Sequence, residues 1–271
     1  MSQHTLAIIA GKGALPHRIA EACRTRGEPF FVLAFKGETD EAFLATVEYA
    51  FIRHGSVGET LALMRQKNVD RVVMAGRIER PRLRDLKPDA KGAQLLARLG
   101  KAVFAGDDKL LSTITGFFEE EGFSIVGAEE LLEDGAAPAG VWGAHRPDRQ
   151  AEEDIRLGMK VAKSIGALDV GQAVIVQHGY VLGVEAIEGT DRLIARCGEL
   201  KQGDGGGVLV KVAKPGQDER VDLPAIGVET VKNMAAAGFS GIAVEAGHAL
   251  VIDRDATIAE ADARGIFLVG I

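Results

Sequence analysis

Short runs of β-branched and apolar residues alternate with helix-patterned stretches along this chain, and the alternation stops once before it restarts. Thr5–Ala10 ends at Gly11-Lys12-Gly13, and a helical pattern follows with Ile19, Ala20 and Cys23 on one face. Residues 29–35 and 47–52 are further buried-strand runs, 58–66 is amphipathic through Leu61, Leu63 and Met64, and 71–75 is a fourth strand. Strands that recur between helices are covered on both faces, the condition under which a parallel sheet forms. Helices over 93–104 and 109–121 and a strand at 123–126 complete this half.

Between residues 133 and 150 the periodicity fails. Gly135, Pro138, Gly140, Gly143 and Pro147 interrupt it, which reads as a linker. The pattern then resumes with a helix over 152–165 and strands over 172–177 and 180–186, joined by a His178-Gly179 hairpin turn. A helix over 191–199 is capped by Gly189 or Thr190. Strands at 207–212, 241–245, 249–252 and 267–269 and helices at 228–237 and 255–263 follow. The expected fold is α/β in two domains: a Rossmann-like one with a parallel sheet over 1–132, a linker over 133–150, and a mixed α/β one over 151–271.

Composition narrows the function. With 46% hydrophobic and 26% charged residues, the chain has the make-up of a soluble globular protein. The first 13 residues carry no basic segment or cleavage site, and no run approaches ~18 apolar residues, so neither a signal peptide nor a spanning helix is expected. Cys23 and Cys197 lie far apart without ligand spacing and read as reduced thiols of a cytosolic protein. A net charge of −7 and 5% aromatic residues argue against nucleic acid as a partner.

Several loops are suited to anions. Gly11-Lys12-Gly13-Ala14-Leu15-Pro16 follows a strand and opens a helix, where backbone N–H groups and the helix dipole receive phosphate. It also reads as a plain tight turn. It is not a dinucleotide fingerprint, because Pro16 stands where the third glycine belongs and Lys36, not an acid, ends the second strand. Ala75-Gly76-Arg77, continuing to Arg80, ends the fourth strand with two arginines that either grip an anion or cap a surface loop. Asp107, in Gly106-Asp107-Asp108, reads as a helix N-cap ahead of a metal ligand.

In the second half, Glu185, Glu188 and Asp191 cluster with Thr190 around Gly189, as Mg²⁺ ligands or as a capped helix start. Lys211, Lys214, Gln217, Asp218, Arg220 and Asp222 share a stretch leading to Pro224, either a diphosphate-binding loop or a solvated one. Residues 203–207 are glycine-rich and serve as a lid or a connection. His178 and His248 lack zinc spacing, and no nucleophile-elbow serine occurs.

Taken in order, these motifs, with Gly171-Gln172-Ala173-Val174, Glu188-Gly189-Thr190-Asp191, Lys214-Pro215-Gly216-Gln217-Asp218 and Asp222-Leu223-Pro224, resemble one family over nearly the whole chain. It is the UDP-2,3-diacylglucosamine pyrophosphatases of the LpxI type, which replace a metallophosphoesterase isoform in lipid A synthesis. The resemblance implies cleavage to UMP and 2,3-diacylglucosamine 1-phosphate, with water attacking the α-phosphorus, Mg²⁺ (or Mn²⁺) required, and substrate held between two domains. It implies a lipid-nucleotide partner met at the inner-membrane surface by a cytoplasmic enzyme, and is compatible with a homodimer.

Site roles follow as expectations. Asp222, Glu188 and Asp191 are the candidate catalytic carboxylates, with Asp222 and Asp191 as metal ligands. Gly11, Lys12, Gly13, Ala14, Leu15, Ala75, Gly76, Arg77, Gln172, Gly189, Thr190, Lys211 and Lys214 are candidates for substrate contact. Helices over 93–104 and 107–118 are either an acyl groove or core. The alternatives are a Rossmann-type nucleotide-sugar or nicotinamide enzyme, and a non-enzymatic module binding phospholipid or nucleotide.

Overall fold

The computed structural model describes residues 4–79, 81, 82, 84, 86–100, 107–203 and 205–271. They form two compact units, one ending at Leu132 and one beginning at Glu133.

The first unit is a parallel five-stranded sheet in the order β3-β2-β1-β4-β5. Its strands are β1 (Thr5–Ala10), β2 (Phe30–Phe35), β3 (Tyr49–Ile52), β4 (Val69–Ala75) and β5 (Ser124–Ile125). Between them lie α1 (Leu15–Arg26), α2 (Glu41–Leu44), α3 (Val57–Gln66), α4 (Ala90–Leu99) and α5 (Asp107–Glu120), and α6 (Ala128–Leu131) follows β5. Leu6 to Ala10 and Phe31 to Ala34 are all buried, which is why these strands read as unbroken apolar runs. Each large side chain so buried contributes roughly 1.5–3 kcal/mol. β3 departs from expectation. It is an edge strand with Tyr49 and Phe51 exposed and in edge-to-face contact at 5.2 Å, so its apolar run is not a buried one. The order reverses between β1 and β4, where open parallel sheets bind ligands at their carboxyl ends.

The second unit holds a six-stranded mixed sheet, β6-β13-β11-β9-β7-β8. β9 (Val208–Lys211), β11 (Gly241–Val244) and β13 (Phe267–Gly270) are parallel, and β7 (Ala173–Gln177) runs antiparallel to both β9 and β8 (Tyr180–Val184). Residues 133–150 do not behave as a free linker. They contain β6 (Gly140–Trp142), antiparallel to β13, and Ala137 and Trp142 join the core. The glycines and prolines there punctuate a short edge strand. In a separate two-stranded pair, β12 (Leu250–Val251) falls within the strand expected at 249–252, while its partner β10 (Ala225–Ile226) is too short to show an alternation and was missed.

Helices α7 (Arg149–Ala167), α8 (Thr190–Leu200), α9 (Val228–Ala236) and α10 (Arg254–Arg264) complete the unit. The His178-Gly179 turn has positive φ at both residues, as a two-residue hairpin requires. The buried carboxylate of Asp154 on α7 accepts both turn N–H groups, at 2.8 and 2.7 Å. The glycine-rich loop before β9 is tied down by Gln177, whose amide donates to the Gln202 and Gly205 carbonyls and accepts from the Gln202 N–H. That network belongs to a fixed connection more than to a lid.

Candidate active site

In the first unit the loops after β1 and β4 are zipped together. The Gly11 N–H donates to the Ala75 carbonyl at 2.8 Å, and Lys12 and Arg77 exchange both backbone hydrogen bonds at 2.9 and 3.0 Å. A Cβ at Gly11 would fall 2.4 Å from the Arg77 carbonyl oxygen, and one at Gly76, whose φ is +84°, would fall 2.5 Å from the Lys12 oxygen. These glycines therefore serve loop-to-loop approach, and the Gly11 and Lys12 amides are already engaged. The amides of Gly13, Ala14 and Leu15, at the head of α1, remain placed for an anion.

Directly opposed residues of an antiparallel pair project to one side, so Lys12 and Arg77 set two exposed cations together at the switch point. Like charges so placed repel. Glu79 relieves part of this by binding the Lys12 ammonium at 3.1 Å. Arg80 and the cap position before α5, including Gly106, lie outside the described residues. Asp107 is the first helical residue of α5, not the residue before it.

Beside this pair, a cleft of about 290 Å³ opens at the ends of β2 and β3. Phe35 and His54 stack at 4.2 Å in it, and Glu38 accepts from the His54 ring at 2.9 Å and from the Glu79 N–H at 2.8 Å. Lys36, Arg53 and Lys87 make its rim cationic. Of these, only Lys36 carried a sequence signal.

The second unit gathers charge along the edge formed by the start of β7 and the ends of β9 and β11. Lys211, buried, donates to the Ala225 carbonyl at 2.9 Å. The Lys214 ammonium lies 2.8 Å from Asp169 and 3.5 Å from Asp222, with its side chain 8% exposed. Gln217 accepts from the Lys214 N–H at 2.9 Å and donates its amide to the Asp222 carbonyl, fixing the loop that carries both. Glu245 anchors the same loop through the Ala213 N–H at 2.9 Å and is itself bound by Lys163 at 2.6 Å. Gln172 brings a buried carbonyl oxygen, Oε1, with no hydrogen-bond partner, an acceptor suited to a ligand hydroxyl or N–H.

The Glu185–Asp191 cluster proves divided. Glu185 is buried, accepting from the Thr190 hydroxyl at 2.6 Å and the Gln172 N–H at 3.1 Å. Glu188 accepts from Arg196 at 2.8 Å; its own backbone N–H and that guanidinium hold its carboxyl below the usual carboxylate range. Asp191 accepts from Asn233 of α9 at 2.9 Å, and Gly189, with φ of +80°, is the N-cap of α8. Thus the structure joins Lys214 to Asp222, while Glu188 and Asp191 are each engaged with a different partner. Asp169, Glu245 and Lys163 were missed, since nothing near them in sequence marks their meeting with the 213–222 loop. In α4 and α5, Leu95, Leu99, Phe117 and Phe118 are buried, as in core helices.

Both units match known domains. A model of the LpxI N-terminal domain matches residues 5–135, and one of the LpxI C-terminal domain matches residues 138–269. The chain belongs to the LpxI family. A relative from Caulobacter vibrioides, UDP-2,3-diacylglucosamine pyrophosphatase LpxI, is 41% identical over 272 residues, which cover 98% of this chain and 97% of the relative. Among solved structures, CobK precorrin-6A reductase aligns with 98% of this chain and 88% of its own at 10% identity and a TM-score of 0.35, too distant a likeness to bear on fold or function.

Among the described residues no three His, Cys, Asp or Glu side chains gather as a metal-binding set. Mg²⁺ commonly takes only one or two protein carboxylates and completes its shell with water and substrate phosphate. The half-buried Asp222 carboxylate fits that mode.

Proposed function

We propose that the chain hydrolyses the pyrophosphate bond of UDP-2,3-diacylglucosamine, giving UMP and 2,3-diacylglucosamine 1-phosphate. The observation that carries this reading is the full-length match to an LpxI relative bearing that activity in its name. In the reaction, a water oxygen bonds to the α-phosphorus, the bond from that phosphorus to the bridging oxygen breaks, and the sugar phosphate leaves with the electron pair.

A diphosphate diester is already anionic, so cations must meet the charge that develops during attack. In the second unit Lys211 and Lys214 are the candidate cations, and in the first Lys12 and Arg77 at the head of α1 are an anion-receptive pair of their own. Asp222 orients water or accepts its proton, with the Lys214 ammonium 3.5 Å away. A bound Mg²⁺ or Mn²⁺ would be held by Asp222 and would neutralise phosphate charge. Gln172 Oε1 accepts from the substrate, while Glu188 acts through Arg196 to shape the loop carrying Gly189 and Thr190. The two acyl chains make the substrate a bilayer resident, so the enzyme meets it at the inner-membrane surface; no helix among the described residues is long and apolar enough to cross.

Turnover in ¹⁸O-labelled water, with Mg²⁺ and with chelator, tests the proposal. Label in UMP, lost with chelator and restored by Mg²⁺, is expected. Label in the sugar phosphate would relocate the attack to the β-phosphorus, chelator-resistant turnover would remove the metal, and no turnover would overturn the activity.

A further inference from the structure

Strand pairing of β9 ends at Lys211, and the chain that leaves it carries Lys214 three residues later. Its direction is set at the buried Ala213. The Ala213 N–H donates to Glu245 Oε2 at 2.9 Å, and the Ala213 carbonyl accepts from the Lys163 ammonium at 3.0 Å. Lys163 also donates to both Glu245 oxygens, at 2.7 and 2.6 Å, which closes the ring. One ion pair therefore holds both backbone polar groups of a single buried residue.

The two side chains come from different elements. Lys163 lies near the end of α7, and Glu245 directly follows β11. Buried backbone groups require partners, but neutral side chains or water serve that purpose equally well. The Lys163 side chain is 36% exposed, so solvent screens the pair and its charge adds little to stability. What the pair adds is direction: a carboxylate and an ammonium bound to each other present acceptor and donor at a fixed spacing. The next residues are carried along. The Lys214 N–H donates to Gln217 at 2.9 Å, and α7 makes room for the loop at Gly166, where a Cβ would stand 3.3 Å from Lys214 Cα and 3.2 Å from Pro215 Cδ.

We propose that Lys163 and Glu245 are positioning residues: they clamp the exit of β9 through the Ala213 peptide and so set where the loop carrying Lys214 meets the diphosphate. The catalytic consequence rests on the pyrophosphatase reading, whereas the clamp is a property of the second unit alone.

Three variants and a control test this. Lys163→Met keeps the stem and removes the donor to Ala213. Glu245→Gln keeps an acceptor for the Ala213 N–H and breaks the ion pair, and Lys163→Arg keeps the charge. Asp154→Ala, which loosens the His178-Gly179 turn of the same unit, controls for lost stability. Well below the melting temperature, kcat falls roughly 10- to 100-fold in K163M and E245Q with KM within about threefold, as for a misplaced reacting group. K163R stays within about threefold of the parent, and D154A keeps the parental kcat. In hydrogen exchange followed by NMR, the Ala213 and Lys214 amides exchange at least about 10-fold faster in K163M and E245Q, while amides inside β9 and β11 keep their parental rates. Unchanged exchange at Ala213 and Lys214 overturns the proposal, as does acceleration that spreads equally through β9 and β11. A kcat in D154A as low as in K163M, or a loosened loop with kcat unchanged, overturns its catalytic consequence. A parent protein without turnover, with the loop-confined exchange difference present, would instead sink the pyrophosphatase reading and leave the clamp intact.

Discussion

Replacing Gly11 with alanine places a methyl group 2.4 Å from the Arg77 carbonyl oxygen and 2.8 Å from the Gly76 carbonyl carbon, both backbone atoms that cannot swing aside. Gly11 is not among the residues with positive φ, so the substitution carries no dihedral penalty and its whole effect is steric. The loop after β4 must retreat by about 1 Å to restore ordinary contact, which pulls apart the paired Lys12–Arg77 hydrogen bonds. At about 0.5–1.5 kcal/mol net for each bond, Gly11→Ala should cost about 1–3 kcal/mol in the first unit. Gly27→Ala is the control. Gly27 has φ of +64° at the far end of α1 with open space around its Cβ position, and alanine there costs about 1–2 kcal/mol through strain alone. Hydrogen exchange of β1 and β4 amides would report similar destabilisation in the two variants. The kcat/KM for UDP-2,3-diacylglucosamine should fall roughly 10- to 100-fold only in Gly11→Ala, where the cation pair is displaced. Equal activity of the two variants would refute the assignment of catalytic placement to the zipped loops.

Lys12→Ala and Arg77→Ala should each lower kcat/KM by about 10- to 100-fold, the loss of one charge-assisted phosphate contact, and steady-state assays across ionic strength would show a shallower salt dependence than the parent. Burial, with Glu28 second, pushes the Cys23 thiol from an ordinary 9.0 to about 11, so its neutral form adds stability that is complete below pH 9.0 and lost as pH rises through about 11. The stability difference between parent and Cys23→Ala in urea should therefore shrink across that window, and iodoacetamide at pH 8 should leave Cys23 of the folded protein unlabelled. Asp154→Ala strips the His178-Gly179 turn of its acceptor and should cost about 1.5–3 kcal/mol by calorimetry, with Asp154→Asn costing less. A melt unchanged in Asp154→Ala would show the turn to be held by other means.

Much of the first unit was legible because its central strands are covered on both faces, which writes continuous apolar runs such as Thr5–Ala10 and Phe30–Phe35 into the sequence. Exposure at an edge writes no separate mark, so β3 looked like its neighbours. The 133–150 stretch misled for the opposite reason: β6 is too short to show alternation among its glycines and prolines. At the site, Gly11, Gly76, Lys12 and Arg77 could be found as loops at strand ends, but their pairing joins positions more than 60 residues apart and follows only from sheet order. The Lys214–Asp169 contact likewise depends on where α7 ends relative to the loop after β9. Clustering in sequence made Glu185, Glu188 and Asp191 look like one group, whereas the turn into α8 sends them to Thr190, Arg196 and Asn233.

Trp142 is the sole tryptophan of the chain. It sits on β6, buried in the second unit's core, with its indole N–H donating to the Pro138 carbonyl at 3.0 Å. Its emission is therefore a built-in optical label for one half of the molecule. A fluorescence trace of unfolding reports directly on the half that carries Lys214 and Asp222, and the half that carries the Lys12–Arg77 zipper has no tryptophan of its own. A variant in the first half that looks unperturbed by tryptophan emission has not been assayed where it was changed.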